Sequence, residues 1–100
     1  MAVYVTVNLD IEDRPGYDAY VAAVIPLLVK HQAEIVAADY AAKTLEGEQR
    51  DVCVILRFES QSAAMNWYTD PDYVPVKQMR INATSNATLM LGQGFEAPSN

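Results

Sequence analysis

Residues 3 to 9, VYVTVNL, alternate without a fault, Val3, Val5, Val7 and Leu9 against Tyr4, Thr6 and Asn8. A period of two places the four aliphatic side chains on one face of a strand. Asp10 to Gly16 is polar and carries Pro15, which suits a loop and the first turn of a helix. Beyond it Tyr17, Tyr20, Val21, Val24, Leu27, Leu28 and His31 recur at spacings of three and four. That spacing predicts an amphipathic helix over 15–32, with a kink at Pro26, which removes one hydrogen bond. The alanine- and valine-rich stretch 34–45 predicts a second strand, closed by a turn at Glu46-Gly47-Glu48. DVCVILRF, 51–58, predicts a third strand with Val52, Val54, Leu56 and Phe58 on one face and Cys53, Ile55 and Arg57 on the other. Ser60 or Ser62 can cap a helix over 61–69, and Asp70-Pro71 stops it. Pro75 suits the first turn of a further helical piece ending near Ala83. SNATLML, 85–91, predicts the last strand, with Ala87, Leu89 and Leu91 opposing Asn86, Thr88 and Met90. The end of the chain, 95–100, is expected to be loose or to lie over a neighbour.

The order β-α-β-β-α-β predicts an α+β, ferredoxin-like domain over 1–94, an antiparallel sheet with its helices on one face. The second face of such a sheet needs a cover. At 51% hydrophobic residues the chain has apolar surface to spare, so a homodimer is expected. The alternation sends Tyr4, Thr6, Asn8, Arg57, Asn86 and Thr88 to that second face. These groups either satisfy one another and water, or line a cavity for a small organic ligand. Arg57 there needs a counterion.

Charge narrows the partners. The formal net charge is −6, and seven basic residues scattered along the chain offer no footprint for a nucleic acid backbone. An acidic surface also disfavours anionic membranes, and no run approaches the roughly 20 apolar residues of a membrane span. The N-terminal MAVYVTVNLD lacks the features of a signal peptide, so a cytoplasmic location is expected. The lone Cys53 has no intramolecular partner and reads as a small core residue. One histidine, one cysteine and unclustered acids make no metal set, and no glycine-rich phosphate loop is present. No cofactor is expected.

PLLVKH (26–31), LEG (45–47), VILRFES (54–60), AMNWYTDPDYVPVKQMR (64–80) and the final LGQG resemble one known family, domain of unknown function 1330. The resemblance is collinear over roughly 3–94, and WYTDPDY followed by Pro75, Lys77 and Arg80 is its most specific part. It implies a dimeric α+β barrel built from two ferredoxin-like subunits packed sheet to sheet. The wider barrel superfamily includes monooxygenases, decarboxylases, dehydratases and isomerases, and fold alone does not choose among them. The chain departs from the family pattern at Ala38-Asp39-Tyr40, Gln49 and Arg57.

Arg80 is the leading ligand contact, because a guanidinium holds a carboxylate through two parallel hydrogen bonds. Its alternative role is an internal ion pair with Asp70, Asp72 or Glu46. His31 can move a proton or cap its helix. Tyr17 and Tyr40 are further candidates for proton transfer, and Tyr17 and Tyr20 share a helix face. Trp67, Tyr68 and Tyr73 can wall a pocket or anchor the Asp70-Pro71 turn. Arg57, Tyr4 and Asn8 complete the candidate ligand contacts. Three functions follow: an enzyme without a cofactor acting on a small carbonyl or carboxylate compound, a non-catalytic binding module, or a purely structural dimer.

Overall fold

The computed structural model describes residues 1–96. Seven elements follow one another: β1 (Val3–Ile11), α1 (Arg14–Lys30), β2 (Glu34–Asp39), β3 (Val52–Phe58), α2 (Gln61–Tyr68), α3 (Tyr73–Ala83) and β4 (Thr84–Gln93). The strands form one sheet in the order β2-β3-β1-β4, and every neighbouring pair is antiparallel. The expected α+β arrangement is present, its second helical region divided into α2 and α3.

Alternation in β1 is carried straight into burial. Val3, Val5, Val7 and Leu9 are core residues, joined by Val52, Leu56 and Phe58 of β3. Tyr17, Tyr20, Val24, Leu27 and Leu28 of α1 and Trp67 of α2 close over them. Pro26 lies on the exposed side of α1, where the missing amide leaves a carbonyl to water.

Local chemistry sets the ends of the elements. The Asp13 carboxylate accepts from the Gly16 amide and caps α1, and Ser60, not Ser62, caps α2 through the Ala63 amide. A Cβ on Gly16 would stand 2.5 Å from the Asp13 carboxylate and 3.3 Å from the Ala83 side chain. Glycine therefore lets α1 begin hard against the end of α3. The amides of Glu12 and Asp13 both donate to the Ala83 carbonyl, which ties the two helices together.

Three features differ from expectation. The second strand stops at Asp39 instead of continuing to residue 45. There the Asp39 carboxylate accepts from the Ala41 amide, and this local turn takes the chain off the sheet edge. Asn86 adopts a left-handed conformation (φ 59°) where two residues of β4 stand opposite one of β1. This bulge removes Asn86 from the alternation that continues through Thr88. Cys53, expected in the core, is half-buried on the face turned away from the helices, opposite Asn8 of β1. Gly47 has φ 95°, as the turn over 46–48 requires.

The expected loose end covers 95–100. Phe95 is exposed, and 97–100 lie outside the described residues. Among the described residues no helix is long and apolar enough to cross a membrane.

Candidate functional site

The core is not completely filled. A cavity of about 70 Å³ lies between the helices and the sheet, lined by Tyr17, Tyr20, Trp67 and Arg80 among aliphatic side chains. Val54 and Leu89 belong to the same wall, and both are only half-buried although they point to the core side of the sheet. A volume of this size holds roughly five water-sized spheres at about 10–15 Å³ each.

Arg80 decides the character of this cavity. It reaches inward from α3 and is only 5% exposed. Its Nε has no hydrogen-bond partner, and among the described residues no carboxylate lies within ion-pairing distance. The internal partners considered for it are engaged elsewhere or remote. Asp70 accepts from Lys30 Nζ and His31 Nε2, each at 2.8 Å, and from the Asp72 amide at 2.9 Å. Asp72 lies 3.7 Å from Lys30, and Glu46 lies on the loop at the other side of the sheet. A second buried donor, Trp67 Nε1, is also without a partner.

Two tyrosine hydroxyls feel the same guanidinium. Burial pushes Tyr17 up to about 12, the neighbouring Tyr40 adds to the rise, and Arg80 offsets part of it. Tyr20 is raised still further, first by burial and then by Tyr73, whose hydroxyl is 3.4 Å away. Both hydroxyls therefore keep their protons at neutral pH, and each can donate or accept a hydrogen bond. The cavity wall carries one cation, the Arg80 guanidinium, and three tyrosines, Tyr17, Tyr20 and Tyr40, with no acidic side chain among its lining residues. A buried guanidinium calls for an acceptor, and an anion satisfies it best.

The candidate residues divide between the two sides of the sheet. Tyr17, Trp67 and Arg80 line the cavity, and Tyr73 stands behind it, completely buried, stacked on Trp67 at 4.7 Å and bonded to Tyr20. Tyr68 borders a neighbouring groove between α2 and β4. Tyr4, Asn8 and Arg57 lie on the opposite face, so they share no site with Arg80. There Arg57 has its counterion, Glu59, at 2.9 Å. His31 does not line the cavity. It ends α1, its backbone amide donating to the Leu27 carbonyl and its ring bonded to Asp70.

The alternation argument offered the second face as one that could line a cavity; the cavity with buried polar groups described here is a separate one, under the helices. The open face does carry a wide basin beside Asn8, Asp39 and Cys53. Arg50 crosses it to reach the Thr88 hydroxyl at 2.7 Å. Arg50 carried no signal in the sequence, since it precedes a strand in an irregular loop. Tyr20 and Tyr40 were visible as aromatics, but only packing assigns them to the cavity wall.

Solved structures of similar fold exist. RPA0582 from Rhodopseudomonas palustris, a protein of unknown function, superposes with a TM-score of 0.82 at 16% identity, over 96% of this chain and 84% of that one. A dimeric ferredoxin-like protein of unknown function from Jannaschia sp. CCS1 gives 0.72 at 12% identity, over 94% and 100%. SnoaB from Streptomyces nogalater, a cofactor-independent oxygenase, gives 0.68 at 9% identity, over 96% and 95%. At these identities the likeness is one of fold. No curated protein sequence matches this chain. The family model for the domain of unknown function DUF1330 matches residues 2–95, nearly the whole of the fold just described, and the chain belongs to that family.

Proposed function

We propose that this protein is a homodimer whose subunits each bind a small organic carboxylate in the cavity under the helices. The observation that carries the reading is the buried Arg80, which lines the cavity and has no ion-pair partner among the described residues. A charge removed from water without a counterion is costly to the fold, and a bound carboxylate removes that cost. Dimerisation would cover the open sheet face, where Thr6, Ile55 and Met90 stand side by side. Similar proteins from Jannaschia and Bacteroides fragilis are dimeric, which supports the same arrangement here.

A guanidinium in a cavity wall also suits negative charge that develops on a carbonyl oxygen. The oxygenase activity of SnoaB keeps catalysis without a cofactor in view for this chain. The residues lining the cavity include no histidine or carboxylate that could serve as a base. Binding is therefore the better supported role, and any proton would have to leave to solvent.

The test is calorimetric titration with sodium acetate against sodium chloride at equal ionic strength. Acetate has about four heavy atoms, so a ceiling near −1.5 kcal/mol per atom limits it to roughly −6 kcal/mol, tens of micromolar at best. Millimolar ligand is accordingly required. Saturable acetate binding that disappears in Arg80→Met supports the reading. Equal heats for acetate and chloride in both proteins refute it. Product analysis of the bound ligand then separates binding from turnover.

A further inference from the structure

Resting on the carboxylate reading, we propose that the ligand is a very small α-hydroxy acid of the glycolate type, its carboxylate on Arg80 and its α-hydroxyl on the hydroxyl of Tyr17.

Two polar groups of the cavity wall are left without partners, and they set the two functional groups of the ligand. Arg80 is buried and has no ion pair among the described residues. Tyr17 is 3% exposed, lines the same cavity and makes no side-chain hydrogen bond among the described residues. Tyr20 differs, since its hydroxyl is bonded to that of Tyr73 at 3.4 Å. The charge of the Arg80 guanidinium acts on the Tyr17 hydroxyl, so the two groups are neighbours. A buried hydroxyl without a partner costs free energy, as an unpaired guanidinium does. A carboxylate satisfies the guanidinium alone. An oxygen on the adjacent carbon satisfies the tyrosine as well, and a hydroxyl suits it because each of the two can donate and accept.

Charge and volume exclude most other ligands. Arg80 is the single cation among the lining residues, and no acid stands beside it. A second carboxylate on the ligand would be buried without a counterion, and an ammonium would face a guanidinium. The volume of about 70 Å³ is roughly half of the 150 Å³ or so at which an enclosed apolar cavity takes up benzene, so an aromatic ring is excluded. Room for roughly five water-sized spheres matches a ligand of about five non-hydrogen atoms. Glycolate is of that size, and propionate is its isostere with a methyl group in place of the hydroxyl.

The test is calorimetric titration with acetate, propionate, glycolate and benzoate at equal ionic strength. Glycolate should bind at least about fivefold more tightly than propionate, the equivalent of one hydrogen bond of about 1 kcal/mol. Benzoate should bind more weakly than acetate. In Tyr17→Phe the ratio of glycolate to propionate affinity should fall to about one or below. The ratio is read within one protein, so a general change in the cavity acts on both ligands alike. A Tyr17 that only packs against Tyr20 and Tyr40 would leave the ratio unchanged. Propionate equal to glycolate in the wild type, or an unchanged ratio in Tyr17→Phe, overturns the α-hydroxy proposal, while Arg80-dependent acetate binding keeps the carboxylate reading. Benzoate binding as tightly as glycolate overturns the size limit and the proposal with it. If none of these anions binds, both readings fall together.

Discussion

Replacing Arg80 by methionine should make the ligand-free protein more stable. Arg80 is 5% exposed and without an ion-pair partner among the described residues, and its Nε–H is an orphan donor. An unsatisfied buried donor costs about 1–3 kcal/mol, and an unpaired buried charge adds to that. Methionine keeps most of the side chain's length and packs against the same aliphatic neighbours. The net expectation is a gain of about 1–3 kcal/mol. A domain of this size moves roughly 4–8 °C per kcal/mol, so Tm should rise by at least about 4 °C. The assay is thermal and urea unfolding in carboxylate-free buffer, at one fixed protein concentration because a dimer's stability depends on it. Acetate at about a hundred times its Kd should then stabilise the wild type by about 2.7 kcal/mol and the variant not at all. A variant less stable than the wild type by 1 kcal/mol or more without ligand would refute the reasoning. It would mean that the guanidinium is a satisfied structural group.

Asp70 offers a pH test. Hydrogen bonds from Lys30, and then from His31, hold its carboxyl well below the usual carboxylate range. A depressed folded-state pKa contributes stability that is complete above the unfolded value and is lost as pH falls through the folded one. The Tm difference between wild type and Asp70→Asn should therefore be full near pH 6 and shrink below about pH 4; a constant difference would argue against the linkage. Trp67 is 2% exposed and stacks on Phe58 and Tyr73, so Trp67→Ala should cost about 3–5 kcal/mol. Trp67→Phe should cost much less, because it keeps an aromatic ring against Phe58 and Tyr73 while removing the orphan indole N–H; equal losses in urea unfolding would count against that view. Ile55 sits on the open face between Thr6 and Ala37, and Ile55→Asp should give a folded monomer by light scattering. A dimer of unchanged mass would place the interface elsewhere.

Much of the fold is legible in the chain because backbone geometry imposes its period locally. Val3 to Leu9 and Val52 to Phe58 declare their faces by alternation, and the observed pairing of Val5 with Leu56 and of Thr6 with Ile55 follows it. The cap offered by Ser60 or Ser62 and the stop at Asp70-Pro71 are likewise local. The same rule failed at Asn86, since a bulge is decided by how two strands pair and not by either strand alone. It failed again at residues 40 to 45, where one side-chain hydrogen bond from the Ala41 amide to Asp39 outweighs strand propensity.

The candidate site was legible as a set of residue types and not as a place. Arg80, Trp67 and Tyr17 stand out for their chemistry wherever they fall. Sequence proximity suggested that Asp70 or Asp72 would neutralise Arg80. In the fold those acids belong to Lys30 and His31, about forty positions earlier in the chain, and Arg80 is left facing the cavity. The sequence by itself therefore determined the element order, the two faces of the sheet and the identity of the chemically capable residues. Tertiary structure alone decided that a cavity lies under the helices and which charge goes unpaired. The reason is physical: an empty volume and a missing counterion are properties of side chains from all seven elements meeting in space, and no local period encodes them.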